Sequence, residues 1–508
     1  VADDNGTRKS MVQVRASDTL HAARSGGMQI LTVLGQATLP LAQVVVARLF
    51  GATVFGAYQA SVALIEVLLR GGTGGADKAM LRYVAAFRAR QNEAAVVRTI
   101  GTGLRLCLLV SGILSMALLV NARWVAALLD TPLLTTSLTF MAPAVLVTAL
   151  IYVLVQASLA AKVTWPNLLV RGLGEPVFLL VAALGAALWA RTLGGLAVAH
   201  AVAETGALAL ALWATRRAFG AGTLVRALRA PSLPRFARFA LPVGMGELLN
   251  AILQRADVIM LTAFAGPTPA GIYAAAEFLG RSIAGVRYAF DSVAAAVLSE
   301  TVQLDERLRL RHNLQLMTRW VTSVAAPVAA LMIILRRELL ALYGPQFRAG
   351  ATVMIILALS HFFNASLGLG QWVLMVSGRA QLMLLNNLGC AALNVGLGLV
   401  LIPRWGMVGT GLAVLAAFSV MQVLVLTENW RAERVHPFHR ALIKPLLAAT
   451  IVLVLGILVS PTLGGLTRIF VVGPGGLLVY VGCLVALRLP SEDRLVLSRV
   501  WQRIARRS

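Results

Sequence analysis

The sequence predicts an all-α polytopic membrane protein of about 14 transmembrane helices, in two pseudo-symmetric six-helix lobes followed by two C-terminal helices. Three observations predict it. Apolar stretches of about 20 residues, the length that crosses a bilayer core, recur from Gly27 to Leu487. The positive charge is concentrated in alternate loops. The two halves also share a short motif at matching places. A mean hydropathy of +0.81 with 58% hydrophobic residues is far from a soluble globular mix.

The elements follow in order. A polar tail, 1–26, leads into spans at 28–48 and 54–75, joined by the tight bend Phe50–Thr53. The glycine-rich run Gly72–Gly75 ends the second span. Further apolar runs place spans at 99–120, 133–160, 168–190 and 193–214, completing an N-terminal lobe over 27–215. A basic linker, 216–239, carries Pro231 and Pro234, which mark irregular chain. The second lobe, 240–430, holds spans at 240–264, 271–298, 317–336, 348–376, 382–402 and 406–427. Two of its bends, Gly266–Pro269 and Pro403–Gly406, are again too short for anything but a helical hairpin. Spans at 442–460 and 466–487 fill the region 431–487. The tail 488–508 sets Leu495, Val496, Val500, Trp501 and Ile504 at near-helical spacing among arginines, which predicts a basic amphipathic helix on the inner leaflet.

The formal charge of +24 would suggest nucleic acid in a soluble chain. Here its distribution sets topology instead. The tails and the loops on their side of the membrane carry most of the 45 Lys and Arg; the opposite loops hold seven, Arg48, Arg123, Arg191, Arg336, Arg337, Arg404 and Arg468. Positive residues stay inside, so both termini are expected to be cytoplasmic. The basic face matches anionic membrane lipids, and no nucleic-acid partner is expected. Cys107, Cys390 and Cys483 fall in separate spans and read as small core hydrophobes.

The echo between halves is Gly51-Ala-Thr-Val-Phe-Gly56-Ala-Tyr58 against Gly266-Pro-Thr-Pro-Ala-Gly271-Ile-Tyr273. The shared G-x4-G-x-Y lies outside in both copies. Duplication with repeats in the same orientation follows, as in transporters built from parallel repeats.

Each ionised side chain at mid-membrane costs roughly 2.5–3.5 kcal/mol on the insertion scale, yet several are present. Glu66 and Arg70, Arg171 and Glu175, Glu277 and Arg281, and Arg287 and Asp291 are acid–base pairs one helical turn apart. Helical periodicity puts the four groups of the eighth span within an arc of roughly 120°, and Glu247, Asn250, Gln254 and Asp257 of the seventh within roughly 80°. Arg255 projects away from that stripe. Gln59 shares a face with Glu66 and Arg70. The expected result is a polar cavity lined by the second, seventh and eighth spans, with a weaker face of His361, Asn364 and Gln371 from the tenth. The bland alternative is that these groups join helices, and for Arg171–Glu175 that reading leads. His200 and Glu204 could relay protons or bond helices together.

Enzymatic chemistry finds no support. Gly72-Thr-Gly-Gly-Ala-Asp-Lys78 lacks the order of a phosphate-cradling P-loop, and no hydrolase or zinc-protease motif occurs. No catalytic residue, cofactor or metal ion is expected.

Ala47-Arg-Leu-Phe-Gly51, Phe55-Gly-Ala-Tyr58 and Leu81-Arg-Tyr-Val-Ala-Ala-Phe-Arg-Ala-Arg90 resemble the opening of polysaccharide flippases of the multidrug/oligosaccharidyl-lipid/polysaccharide (MOP) superfamily. Phe239-Ala-Leu-Pro242, Ala256-Asp257, Gly271-Ile-Tyr-Ala274, Tyr343-Gly-Pro-Gln-Phe347, Asn394, Leu401-Ile-Pro403 and Gly406-Met-Val-Gly409 extend the resemblance to about residue 430. It implies two six-helix lobes and a non-enzymatic secondary transporter. Such a protein moves polyprenyl-diphosphate-linked oligosaccharide outward by alternating access, for lipopolysaccharide, capsule or exopolysaccharide assembly. The cationic cavity that receives diphosphate and sugar would map onto Arg281, Arg287 and Arg70, then Arg255, with Gln59, Asn250 and Gln254. Coupling to H⁺ or Na⁺ would fall to Glu66, Glu247, Asp257, Glu277 or Asp291. Other glycan-assembly proteins are conceivable partners. The alternatives are a cation-coupled multidrug exporter of the same superfamily and a membrane-embedded glycan polymerase or ligase.

Overall fold

The computed structural model describes residues 38–487 apart from 221, 305, 460–464 and 466. Both polar tails and the start of the first span lie outside the described residues, as does the expected C-terminal amphipathic helix. The described chain is helical almost throughout, with no β-strand among the described residues. Among the described residues, eleven helices are long and apolar enough to cross a membrane.

That count is lower than the number of apolar stretches for a definable reason. Helix α1 (Thr38–Gly72) contains Gly51 at φ 81°, ψ 168°, so one continuous assignment joins two helical arms. The 54-residue helix Ala380–Glu433 is divided in the same way by Gly406 at φ 54°. A further expected span lies in the 37-residue helix Pro267–Gln303, which is not among the eleven. Its four charged groups, Glu277, Arg281, Arg287 and Asp291, explain the omission. Gly266, between the helices flanking the third bend, has φ 88°. Positive φ is a conformation that glycine adopts without a Cβ clash, so three helix reversals sit on glycine.

The chain divides into two compact units, Val1–Gly271 and Ile272–Ser508. In the first, α1 is followed by α2 (Ala76–Ala89), α3 (Glu93–Leu128) and α4 (Leu134–Ala160). Next come α5 (Trp165–Trp189), α6 (Leu193–Phe219), a short α7 (Thr223–Arg229) and α8 (Pro234–Ala265). Lipid tails are as apolar as leucine, so helices here associate through close packing of small residues rather than through exclusion of water. The contacts bear this out. A Cβ on Gly75 would lie 2.0 Å from the Ala240 carbonyl oxygen, and one on Gly101 would lie 1.8 Å from that of Ala227.

The paired motifs meet. A Cβ on Gly56 would lie 1.8 Å from the Pro267 oxygen and 2.6 Å from the Gly271 nitrogen, and the Thr53 and Thr268 hydroxyls are 2.8 Å apart. Tyr58 and Tyr273 are both fully buried. Positions 215 residues apart are therefore matched in space as well as in sequence.

The second unit contains most of α9 (Pro267–Gln303), then α10 (Arg307–Ile334) and α11 (Arg336–Ala341). After these come α12 (Ala351–Leu367), α13 (Gly370–Val376), α14 (Ala380–Glu433), α15 (Ile443–Val459) and α16 (Thr467–Ala486). Helices α15 and α16 pack on α10, around Ala326, Ala330, Ile334 and Val452.

Candidate functional site

The first unit encloses a cavity of about 380 Å³ among α1, α2, α4 and α8. Its geometry begins with glycine. The contact of Gly75 with Gly244 brings the start of α2 against α8. Three residues further along each chain, Lys78 and Glu247 face each other, with Nζ 3.7 Å from Oε1. One and two turns on from Glu247, Asn250 and Gln254 continue the lining, and the Gln254 amide donates to Asn250 Oδ1 at 3.2 Å. From α1 come Glu66, Leu69 and Arg70, and from α4 comes Tyr152.

The electrostatic balance is the informative feature. Three cations, Arg70, Lys78 and Arg255, line the cavity with two carboxylates, Glu66 and Glu247. Lys78 pairs with Glu247, and Arg255 with Glu66. Among the described residues Arg70 forms no ion pair with a carboxylate; its guanidinium lies 5.2 Å from the centre of the Tyr152 ring. A cation–π contact leaves a guanidinium's N–H groups available for an anion, because the ring engages its face. The Tyr152 hydroxyl accepts a hydrogen bond from Arg171 Nη2 at 2.6 Å, and Arg171 also lies 4.0 Å from the ring centre. Arg171 sits in a π-helical turn, Leu168–Gly174, at the head of α5. Its Glu175 partner is 4.0 Å away.

Several expected residues come together here. Glu66, Arg70, Glu247, Asn250 and Gln254 all line the cavity. Arg255 corrects the stripe drawn from periodicity: although its Cα is rotated from that face, its long stem carries the guanidinium round to Glu66. Asp257, placed on the same stripe, is instead buried, and its carboxylate accepts from the Val258 amide at 2.8 Å. Gln59 is also buried and donates to Gln43 at 2.7 Å, two turns along α1 from Glu66. Glu204 accepts from Thr148 at 2.9 Å, and His200 lies 3.0 Å from the Tyr58 hydroxyl. Both bonds join neighbouring helices.

The second unit has its own polar cluster. Glu277 accepts from Arg281 Nε at 2.8 Å and lies 3.1 Å from His361 Nε2. Asp291 accepts from the Trp372 indole at 2.8 Å and lies 4.0 Å from Arg287. The Arg281 side chain is 40% exposed, whereas that of Arg287 is 11% exposed and packed against Gly368. Asn364 accepts from Gln422 at 3.2 Å. Sequence reasoning missed Lys78, read as part of a loop, and Tyr152, a single tyrosine in an otherwise apolar stretch with no periodic signal. No group of His, Cys, Asp and Glu among the described residues is arranged to hold a metal ion.

A family model described as polysaccharide biosynthesis protein matches residues 45–352, more than half of the 508-residue chain. Comparison with curated protein sequences gives no match. Among solved structures, the chain is similar to the lipid II flippase MurJ in an inward closed conformation. The TM-score is 0.72 at 14% identity, covering 90% of this chain and 97% of that one. It is also similar to an inward-facing multidrug resistance MATE family transporter of the MOP superfamily, with a TM-score of 0.68 at 10% identity over 79% and 98% of the two chains. A MOP superfamily transporter from Pyrococcus furiosus gives 0.57 at 13% identity over 82% and 95%. At such identities the likeness is one of fold. The chain belongs to the polysaccharide biosynthesis protein family, and its family and fold together point to a membrane transporter rather than an enzyme.

Proposed function

We propose that the protein is a flippase that carries a polyprenyl-diphosphate-linked oligosaccharide from the inner to the outer leaflet of a bacterial inner membrane by alternating access. The observation that carries this reading is the cationic excess of the first-unit cavity, with Arg70 left over once the two acid–base pairs are counted. A diphosphate is a compact polyanion, and arginine keeps its charge when desolvated and matches phosphate oxygens with a planar fork. Asn250 and Gln254 supply amides suited to sugar hydroxyls. In the second unit Arg281, the more exposed of the two arginines of α9, is the better candidate for a second phosphate contact. Ion coupling, if the cycle uses H⁺ or Na⁺, is assigned to the carboxylates that already hold cations: Glu66, Glu247 and Glu277.

A cation-selective multidrug exporter of the same fold is the competing reading. It calls for a cavity with an acidic excess, opposite in sign to the one around Arg70. The discriminating experiment is outward movement of a fluorescent polyprenyl-diphosphate oligosaccharide in liposomes holding the purified protein, set beside efflux of a lipophilic cation. Movement of the glycolipid, reduced by Arg70→Ala, supports the flippase. Cation efflux without glycolipid movement supports the exporter.

A further inference from the structure

Two guanidinium groups meet the ring of Tyr152 on α4, that of Arg171 at 4.0 Å from the ring centre and that of Arg70 at 5.2 Å. Arg171 does more than cover the ring, because its Nη2 donates to the Tyr152 hydroxyl at 2.6 Å. Its place in the π-helical turn Leu168–Gly174 belongs to a class of local irregularity that recurs at functional sites. The bond is also not the one that helical spacing offers. Glu175, one turn along, lies 4.0 Å from Arg171 Nε, beyond hydrogen-bond length. Arg171 Nε and Glu175 Oε1 are both buried without a hydrogen-bond partner among the described residues. The arginine gives its bond to a tyrosine oxygen instead of the carboxylate beside it.

The direction of that bond fixes what the hydroxyl has left. A guanidinium can only donate, so the Tyr152 oxygen is the acceptor and its own O–H remains to be given. Among the described residues no acceptor takes that proton. The two carboxylates of the cavity are engaged with other cations, Glu66 with Arg255 and Glu247 with Lys78. Hydrogen bonds in a chain polarise one another, so a hydroxyl that accepts from a cation is a stronger donor than a solitary phenol.

Placement names the ligand. Tyr152 lines the same cavity as Arg70, and a phenol hydroxyl stands at the rim of the ring over which Arg70 lies. A phosphate group carries several oxygens on one centre, so a single group can accept from both donors at once.

We propose that the Tyr152 O–H and the Arg70 guanidinium hold oxygens of the same phosphate group of a diphosphate, with Arg171 as the positioning residue that turns the hydroxyl into a donor. The proposal rests on the reading of this cavity as a diphosphate site, and it adds an uncharged donor and the arginine behind it. If the Arg171–Tyr152 bond only joined α5 to α4, its loss would cost stability and leave ligand binding alone.

The test is calorimetric titration of the full-length protein in detergent with farnesyl diphosphate, using farnesol as the phosphate-free control. Saturable binding of the diphosphate is expected in the wild type. Tyr152→Phe keeps the ring and removes only the hydroxyl, and should weaken binding about tenfold, the scale of one hydrogen bond to a charged group, with the unfolding temperature unchanged. Arg171→Gln combined with Glu175→Gln, which leaves no carboxylate unpaired, should weaken binding severalfold, and carries the test if Tyr152→Phe fails to fold. Arg171→Lys, still a donor to the hydroxyl, should recover most of that loss. No saturable binding by the wild type, or a folded Tyr152→Phe that binds as the wild type does, overturns the proposal. The transport reading fails on a different observation, the absence of glycolipid movement in liposomes, which leaves the binding result standing.

Discussion

On the proposed reading, Arg70 is the residue through which the cavity meets an anionic substrate. Because Lys78 and Arg255 already face carboxylates, removing Arg70 should remove charge that an anionic substrate meets without competition. Arg70→Ala is expected to lower the initial rate of glycolipid movement by about 10–100-fold, the equivalent of one hydrogen bond to a charged group. Arg123→Ala, at an exposed position near the end of α3, should leave the rate within a factor of two or so, as is usual for surface changes. Similar losses in both variants would remove Arg70 from the site. Most of this cavity was legible in the sequence because paired charges inside apolar runs are costly and therefore conspicuous. Lys78 and Tyr152 were not legible: one lies in a polar stretch, and the other carries no charge to mark it. Arg255 was misplaced because periodicity locates a Cα and takes no account of a flexible stem.

Helix elements in this chain turn and meet on glycine, and two kinds of glycine can be told apart. Gly56 has no room for a methyl group, since its Cβ would collide with backbone at Pro267 and Gly271. Gly266 has open space, but a backbone conformation that disfavours any Cβ, at φ 88°. Gly56→Ala should therefore destabilise the protein by about 1–3 kcal/mol or more through overpacking, and Gly266→Ala by only about 1 kcal/mol through backbone strain. Thermal unfolding in detergent, followed by intrinsic fluorescence, should rank Gly56→Ala well below Gly266→Ala; the reverse order would contradict the close contact of the two motifs. The G-x4-G-x-Y echo announced this packing, but spacing alone could not say that the copies touch. Spans were legible because length and apolarity are strong signals, whereas the break inside α5 that creates the π-helical turn around Arg171 has no sequence signature beyond nearby Gly172 and Pro176.

The whole chain combines a family of polysaccharide biosynthesis proteins with a fold shared by lipid and drug transporters. Fold alone does not choose between those substrates; the proposed function rests instead on the sign of the cavity charge. Its orientation in the membrane is tested by single cysteines introduced on a cysteine-free background. Ser232→Cys, in the basic linker, should react with an impermeant maleimide only from the cytoplasmic side, and Arg191→Cys only from the outside; labelling from the opposite sides would reverse the topology drawn from the positive charges. The central claim is that this chain moves an anionic glycolipid through a cationic cavity. The most direct measurement is leaflet-to-leaflet transfer of a fluorescent polyprenyl-diphosphate oligosaccharide in liposomes containing the wild-type protein or Arg70→Ala, with native lipid and an imposed ion gradient. Transfer that requires the protein and falls by at least tenfold in the variant is the predicted result. Transfer equal in both, or none above protein-free liposomes, would contradict the account.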